Sequence, residues 1–343
     1  MDSRWQAFLE DAGAVIEDGR VAHFGNPARE IRIGTTGNLI TDLSHLGFLT
    51  ATGDDAAGFL QGQLTNDITE VDAARSQLSG YCNPQGRLLA ILRIFLREQA
   101  YHLELPRALV DSTLERLRKY VLMSKVALED GGDCLVRMGC AGPGAEEELK
   151  AVTGKIPEGI DEVVSTEGLT LIRIPGPVPR FTIYGKTPAM EKLWSSLDVR
   201  CAPVGPQVWE RLDILAGLPA IAPETVAEFV PQYVNLDRVG GVSFSKGCYT
   251  GQEIIARLHY RGKTKRRMTR LHIACDEPPA PGTPLYAPRQ AQAAGIVVRA
   301  APCPDGGCDA LASLLLEHHG KTLHLGGAKG PQAQARELPY APD

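Results

Sequence analysis

The chain has 343 residues, 43% of them hydrophobic and 22% charged, enough to bury one large core or two to three smaller ones. Its formal net charge of -5 excludes a protein that coats nucleic acid over its whole surface, while leaving room for a local basic patch. No basic flank precedes an apolar run at the N-terminus, and nowhere do eighteen apolar residues follow one another, so neither signal peptide nor membrane span is read and a cytoplasmic location is expected.

In chain order, Asp54 and Asp55 precede Phe59, Leu60 and Leu64 at helical spacing, which predicts a short capped helix. "LLAILRIFL" (88–96) and "YHLEL" (101–105) predict a β-hairpin. From Pro106, residues Leu109, Val110, Leu114, Leu117 and Val121 fall on one helical face, with proline suited to a first turn. "LTLIRI" (169–174) and "RFTIY" (180–184) read as strands joined by a proline-stiffened turn. "PAMEKLWSSL" and "PQVWERLDILAGLP" read as helices, the second closed by Gly217 and Pro219. This mixed order implies an α+β body.

After about residue 268, short apolar runs are divided by Pro and Gly clusters, which predicts a small all-β module. Within it "ALASLLLEHH" has the composition of a helix as well as of a strand. The expected division is a body over 1–267, of one or two subdomains, a β module over 268–330 and a poorly ordered tail over 331–343.

The motif "KGCYTGQE" (246–253) carries the chemistry. Thr250 and Glu253 have the spacing of a capping box, and "IIARL" behind them supplies the apolar start of a helix expected to begin at Thr250. Cys248 then lies two residues ahead of the cap, at the positive end of the helix dipole, with Lys246 and a basic run close in sequence. Both features favour the thiolate. Gly247 and Gly251 remove side-chain bulk on either side, as a close approach or a positive φ requires. A small buried cysteine in a glycine-turned loop fits the same residues, and a thiolate leaves nucleophile, metal ligand and redox sensor open.

"KGCYTGQE" resembles the signature of the YgfZ family of folate-binding proteins, bacterial relatives of the glycine-cleavage T-protein and of mitochondrial iron-sulfur assembly factors. "FLQGQLTND" (59–67), "YCNPQGRLLA" (81–90), "YVLMSKV" (120–126) and "GLPAI" (217–221) resemble that family's blocks and occur in its order, over roughly residues 40–270. The resemblance implies a T-protein-like folate-binding fold with a C-terminal small β-barrel. It also implies binding of tetrahydrofolate or a derivative and support of iron-sulfur enzymes, including those that modify tRNA. The family's signature cysteine falls on Cys248, which Lys246, Gly247, Thr250, Gly251, Gln252 and Glu253 surround. Of two family tryptophans associated with folate, one matches Trp209 and the other falls close to Leu46. Glycine-cleavage T-proteins carry acidic residues where this chain has Arg87, Leu88 and Leu89 after "PQG". Leucine cannot accept a proton, so folate binding without ordinary aminomethyl transfer is expected. A folate-dependent aminomethyl or other one-carbon transferase is the alternative.

A folate site needs a flat apolar slot and a polar edge. Trp209 suits a face, and Asn66, Asp67 and Asn83 suit an edge; core packing for the tryptophan and turn-shaping for the others fit equally. Seven Lys and Arg residues between 257 and 270, with no acid among them, suit RNA, folate glutamates or an acidic partner, and equally a solvated connector. Direct RNA binding is not favoured, because Tyr260 is the lone aromatic in the run. Arg257 and Arg261 fall at helical spacing from Glu253, so either can pair with it.

Eight cysteines, at 82, 134, 140, 201, 248, 275, 303 and 308, are scattered without a secretory address, so reduced thiols are expected. Cys303 and Cys308 form a C-x4-C pair with His318, His319 and His324 downstream, but a zinc site wants tighter, recurring spacing, and no metal site is expected.

Overall fold

Two sheets, antiparallel but for one strand pair, face one another, and a closed barrel packs into the core cluster of the first. The computed structural model describes residues 1–132, 134–262 and 264–341. The first sheet has the spatial order Gln77–Cys82, Leu88–Arg97, Ala100–Pro106, Leu46–Thr52 and Ala127–Asp130. Its central hairpin is the one expected from the two apolar runs. Glu98 and Gln99 turn it at φ 51° and 63°, the left-handed pair that matches strand twist in a two-residue loop.

Alternation then sorts the side chains. Leu103 and Leu105 pack with Leu109, Val110, Leu114 and Leu117 of the helix Arg107–Arg118 on one face. His102 and Glu104 point to the other face, where the second sheet lies. The helix ends at Arg118, so Val121 packs from the turn that follows. The helix Ala56–Gln63 forms, but the expected side-chain cap does not: Asp55 instead accepts from the Lys125 amide at 2.6 Å.

The second sheet runs Val163–Thr166, Leu169–Arg173, Arg180–Gly185, Val136–Ala141, Leu39–Asp42 and Ala202–Pro203, antiparallel except for the last pair. Helices Ser3–Asp11, Ala145–Thr153 and Thr187–Leu197 cover its outer face, where Trp5 meets Trp194 edge-on. Phe48 and Phe95 of the first sheet meet Tyr184, Ile172 and Leu39 of the second on the inner face. The helix Pro206–Leu215 also lies there, begun by Pro206 and ended before Gly217 at φ 68°.

The barrel begins at Arg266, two residues before the expected boundary. Its closed order is Arg266–Ile273, Cys308–Leu315, Ala293–Pro302, Pro284–Tyr286, Leu323–Leu325 and Gln332–Arg336. "ALASLLLEHH" is therefore mostly strand, followed by a short 3-10 turn at Leu316–His318. The expected tail is corrected as well. Gln332–Arg336 pairs with Arg266–Ile273 and closes the barrel, because an open edge would leave backbone groups unpaired. Beyond it, the Tyr340 hydroxyl donates to the Gly217 carbonyl at 2.8 Å. Among the described residues no helix is long and apolar enough to cross a membrane.

Candidate functional site

Where the two sheets, the helix Pro206–Leu215 and the barrel meet, they line a half-open cavity of about 360 Å³. That size suits a small-molecule ligand. Leu46, at the start of its strand, and Trp209 both line it. Trp209 is 3% exposed and packs against Gly139 of the second sheet, while the Arg180 guanidinium sits 4.2 Å from its ring centroid.

The cavity wall is charged. Arg299 of the barrel pairs with Glu210, with Asp213 at 3.0 Å and with the Leu218 carbonyl at 3.1 Å; Arg180 donates to Asp213 at 2.6 Å. Burial alone would raise Asp213, but Arg180 and Arg299 hold its carboxyl below the ordinary range. Arg93 is paired with Asp161.

Glu104 stands apart from these pairs. One of its carboxylate oxygens is wholly buried and interacts with the Tyr184 hydroxyl, although the two fall outside regular hydrogen-bond geometry, and the residue is 7% exposed. Burial pushes its pKa up to about 7, against the attraction of Arg137 and Arg93. Near neutral pH this side chain therefore passes between proton donor and pure acceptor, facing the cavity.

The KGCYTGQE segment is built differently from expectation. Its helix spans Gln252–Tyr260, capped by Gly251 rather than begun at Thr250, and no Thr250 capping bond forms. Glu253 pairs instead with Arg257 at 2.8 Å. Gly251, at φ 83° and ψ 1°, has the geometry of the third residue in a type II turn, closed by the Gln252 amide on the Tyr249 carbonyl. A Cβ on Gly251 would stand 2.6 Å from the Asn83 carbonyl oxygen and 2.8 Å from the Gly86 Cα. The close approach that glycine permits is thus by the chain's own 83–86 turn, which brings the 81–90 segment against 246–253. Gly247 faces open space and has no positive φ.

Lys246 is buried, and its ammonium donates to the carbonyls of Gln61, Leu64 and Asn66 at 2.7, 2.7 and 2.9 Å. It is committed to pinning that loop, 5.1 Å over the Tyr249 ring. Cys248 is exposed and does not line the cavity, so the structure separates it from the slot beside which the sequence placed it.

Asn66, Asp67 and Asn83 do not line the cavity either. Asn66 donates to the carbonyls of Leu78 and Gly240 at 2.9 and 2.8 Å. Asp67 caps the turn Ile68–Glu70 and accepts from Thr69 and Gln61. Asn83 accepts from the amides of Gln85 and Arg87 at 3.0 Å. All three shape turns. Leu88 and Leu89 are buried outside the cavity lining.

The basic run is divided: Arg257 pairs with Glu253, Arg261 caps the helix, and Arg267 forms a buried pair with Asp237 at 2.8 Å. Lys263 lies outside the described residues. Tyr260 is exposed beside a stacked Phe244–His259 pair. The histidines downstream of Cys303 and Cys308 do not converge on them: His318 lies beside Glu317, His319 beside Thr269, and His324 on the Gly330 carbonyl.

Glu104, Glu210, Asp213 and Arg299 went unread in the sequence. The signal was a charge inside an apolar pattern: Glu104 in "YHLEL", Arg299 in "GIVVRAA", and Glu210 and Asp213 flanking one turn of the tryptophan helix.

A family model described as the GCVT N-terminal domain matches residues 5–165. A tRNA-modifying protein YgfZ from Photorhabdus laumondii is 35% identical over 247 residues, 72% of this chain and 74% of that one. Its namesake from Yersinia enterocolitica is 34% identical over 246 residues, with the same coverage of 72% and 74%. The chain belongs to the YgfZ family. Among solved structures, the glycine cleavage system aminomethyltransferase T from Bartonella henselae superposes with a TM-score of 0.80 at 18% identity, covering 98% of this chain and 96% of that one. The fold of this YgfZ family member is therefore T-protein-like α+β with a C-terminal β-barrel, as the sequence resemblance implied.

Proposed function

We propose that the protein binds tetrahydrofolate or a derivative in the central cavity and acts in tRNA modification as a folate-binding accessory of iron-sulfur enzymes. The observation that carries this reading is the cavity wall. It combines an apolar slot at Trp209 and Leu46 with the Glu104 carboxyl group among its lining. A pterin edge presents neighbouring N–H donors, which a carboxylate accepts. The exposed Arg20, also in the lining, suits the carboxylates of a folate tail at the solvent side. When bound, tetrahydrofolate supplies nitrogen atoms that carry one-carbon units.

The residues favour holding over turnover. Leu88 and Leu89 stand where T-proteins have acids, and Glu210 and Asp213 are committed to arginines. Cys248 is then an exposed thiol through which the protein meets its iron-sulfur clients, away from the folate. Direct RNA binding by the 257–270 run is disfavoured, since Arg257 and Arg267 are already paired.

Calorimetric titration with tetrahydrofolate tests the cavity assignment. Binding by the parent is expected, weakened about tenfold or more in Glu104→Gln and Trp209→Phe and unchanged in Cys248→Ser. A parent that does not bind, or an affinity indifferent to both cavity variants, overturns it.

One feature favours a second reading, a folate-dependent one-carbon transferase: Glu104 lines the cavity, and burial pushes its carboxyl up to about 7, the range of a general acid-base group. Turnover of methylene-tetrahydrofolate by the parent, abolished in Glu104→Gln, would select it; tight binding without turnover selects the accessory role.

A further inference from the structure

We propose that His272, Cys303 and Asp309 form a binding site for a thiophilic divalent transition-metal ion, zinc above all, at one end of the barrel. Their ligand atoms lie within 4.8 Å of one another, although the residues are up to 37 positions apart in the chain. Imidazole, thiolate and carboxylate are together a zinc donor set, and three protein ligands leave a fourth position for water.

The fold builds this cluster from three directions. His272 and Asp309 are directly paired across neighbouring antiparallel strands, which aims both side chains to the same side of the barrel wall. Cys303 comes from the hairpin that joins Ala293–Pro302 to Cys308–Leu315, where its amide donates to the Gly307 carbonyl at 2.9 Å. Gly307, at φ 69°, is what lets the imidazole in: a Cβ there would meet the His272 Cε1 and Nε2 at 2.9 Å. Tetrahedral zinc needs ligand atoms about 3.3 to 3.8 Å apart, so closing the site asks for a contraction of about 1 Å, within reach of side-chain rotation.

Two further features point to a ligand. Asp309 is 5% exposed and one of its oxygens accepts from Arg211 Nε at 2.9 Å, which orients the carboxylate and leaves its second oxygen for the ion. Among the described residues neither the His272 ring nor the Cys303 thiol makes a hydrogen bond. Binding displaces the thiol proton of Cys303 to solvent and leaves imidazole neutral, so affinity rises with pH. Through Arg211, on the helix that carries Trp209, the ion also braces the barrel against the body.

Cobalt(II) titration of the reduced, metal-free full chain reads the site without any folate. One equivalent is expected to give a near-ultraviolet thiolate-to-cobalt charge-transfer band that zinc abolishes by displacement. Cys303→Ser should remove the band, His272→Asn should weaken affinity about tenfold or more, and Cys248→Ser should change neither. Zinc should raise the melting temperature of the parent and not that of Cys303→Ser. Absence of the band, its survival in Cys303→Ser, or its loss in Cys248→Ser overturns the site.

Discussion

The indole of Trp209 occupies the space a side chain on Gly139 would fill: a Cβ there would stand 2.5 Å from Cζ3 and 2.7 Å from Cε3 and Cη2. The sheet thus seats the ring by omitting a methyl group, and Arg180 covers it at 4.2 Å. Gly139→Ala is expected to push the ring toward the cavity. Overpacking of this kind costs about 1 to 3 kcal/mol, and tetrahydrofolate affinity should fall with it. Denaturant unfolding and titration check the two effects; parental values in both would mean that the seat is soft.

The two glycines of the 246–253 segment should behave oppositely. Gly251→Ala forces a side chain onto a left-handed backbone and against the Asn83 carbonyl, so a loss of about 2 kcal/mol or more is expected. Gly247→Ala meets open space without a positive φ and should stay within about 0.5 kcal/mol of the parent. Paired thermal melts check this, and equal sensitivity at the two positions would overturn it.

Glu104 should leave a mark on the pH dependence of stability. Its pKa rises from 4.5 to about 7 on folding, so between those values the folded state binds more protons than the unfolded chain. The stabilising effect of the neutral acid is complete below about 4.5 and is lost as pH climbs through 7, a change of about 3 kcal/mol. Glu104→Gln cannot ionise. Subtracting its unfolding free energy from that of the parent across pH 4 to 8 should isolate a fall of this sign, and a flat difference would contradict the burial argument.

Lys246 is expected to be structural. Lys246→Met removes the donor from three carbonyls and should destabilise by about 3 kcal/mol, while the alkylation rate of Cys248 at fixed pH stays within about twofold. A large change in that rate with little loss of stability would return the lysine to the role of activating the thiol.

Much of the local structure was legible because it is written in short-range periodicity. The 88–96 and 101–105 runs, the helix after Pro106 and the Pro206–Gly217 frame all formed where alternation, helical spacing and capping residues put them. Misreadings came where a competing partner stood far off in sequence. Thr250 and Glu253 have capping-box spacing, yet the adjacent 83–86 turn requires a left-handed glycine at 251 and Arg257 takes the glutamate. Asp55 caps nothing because the Lys125 amide claims it. The segment after 331 looks like a tail by composition, but the barrel needs a sixth strand to pair its last edge.

By itself the sequence determined the elements and the family likeness, because apolar period, proline and glycine act within a few residues of where they stand. Only the tertiary structure decided which charges face which. Glu104, Asp213 and Arg299 come from a strand, a helix and a barrel wall, and their partners and ionisation follow from burial together. The same holds for Cys248 at the surface and for His272 beside Cys303 and Asp309. Electrostatic energy depends on distance through space and on access to water, and neither quantity is local in the chain.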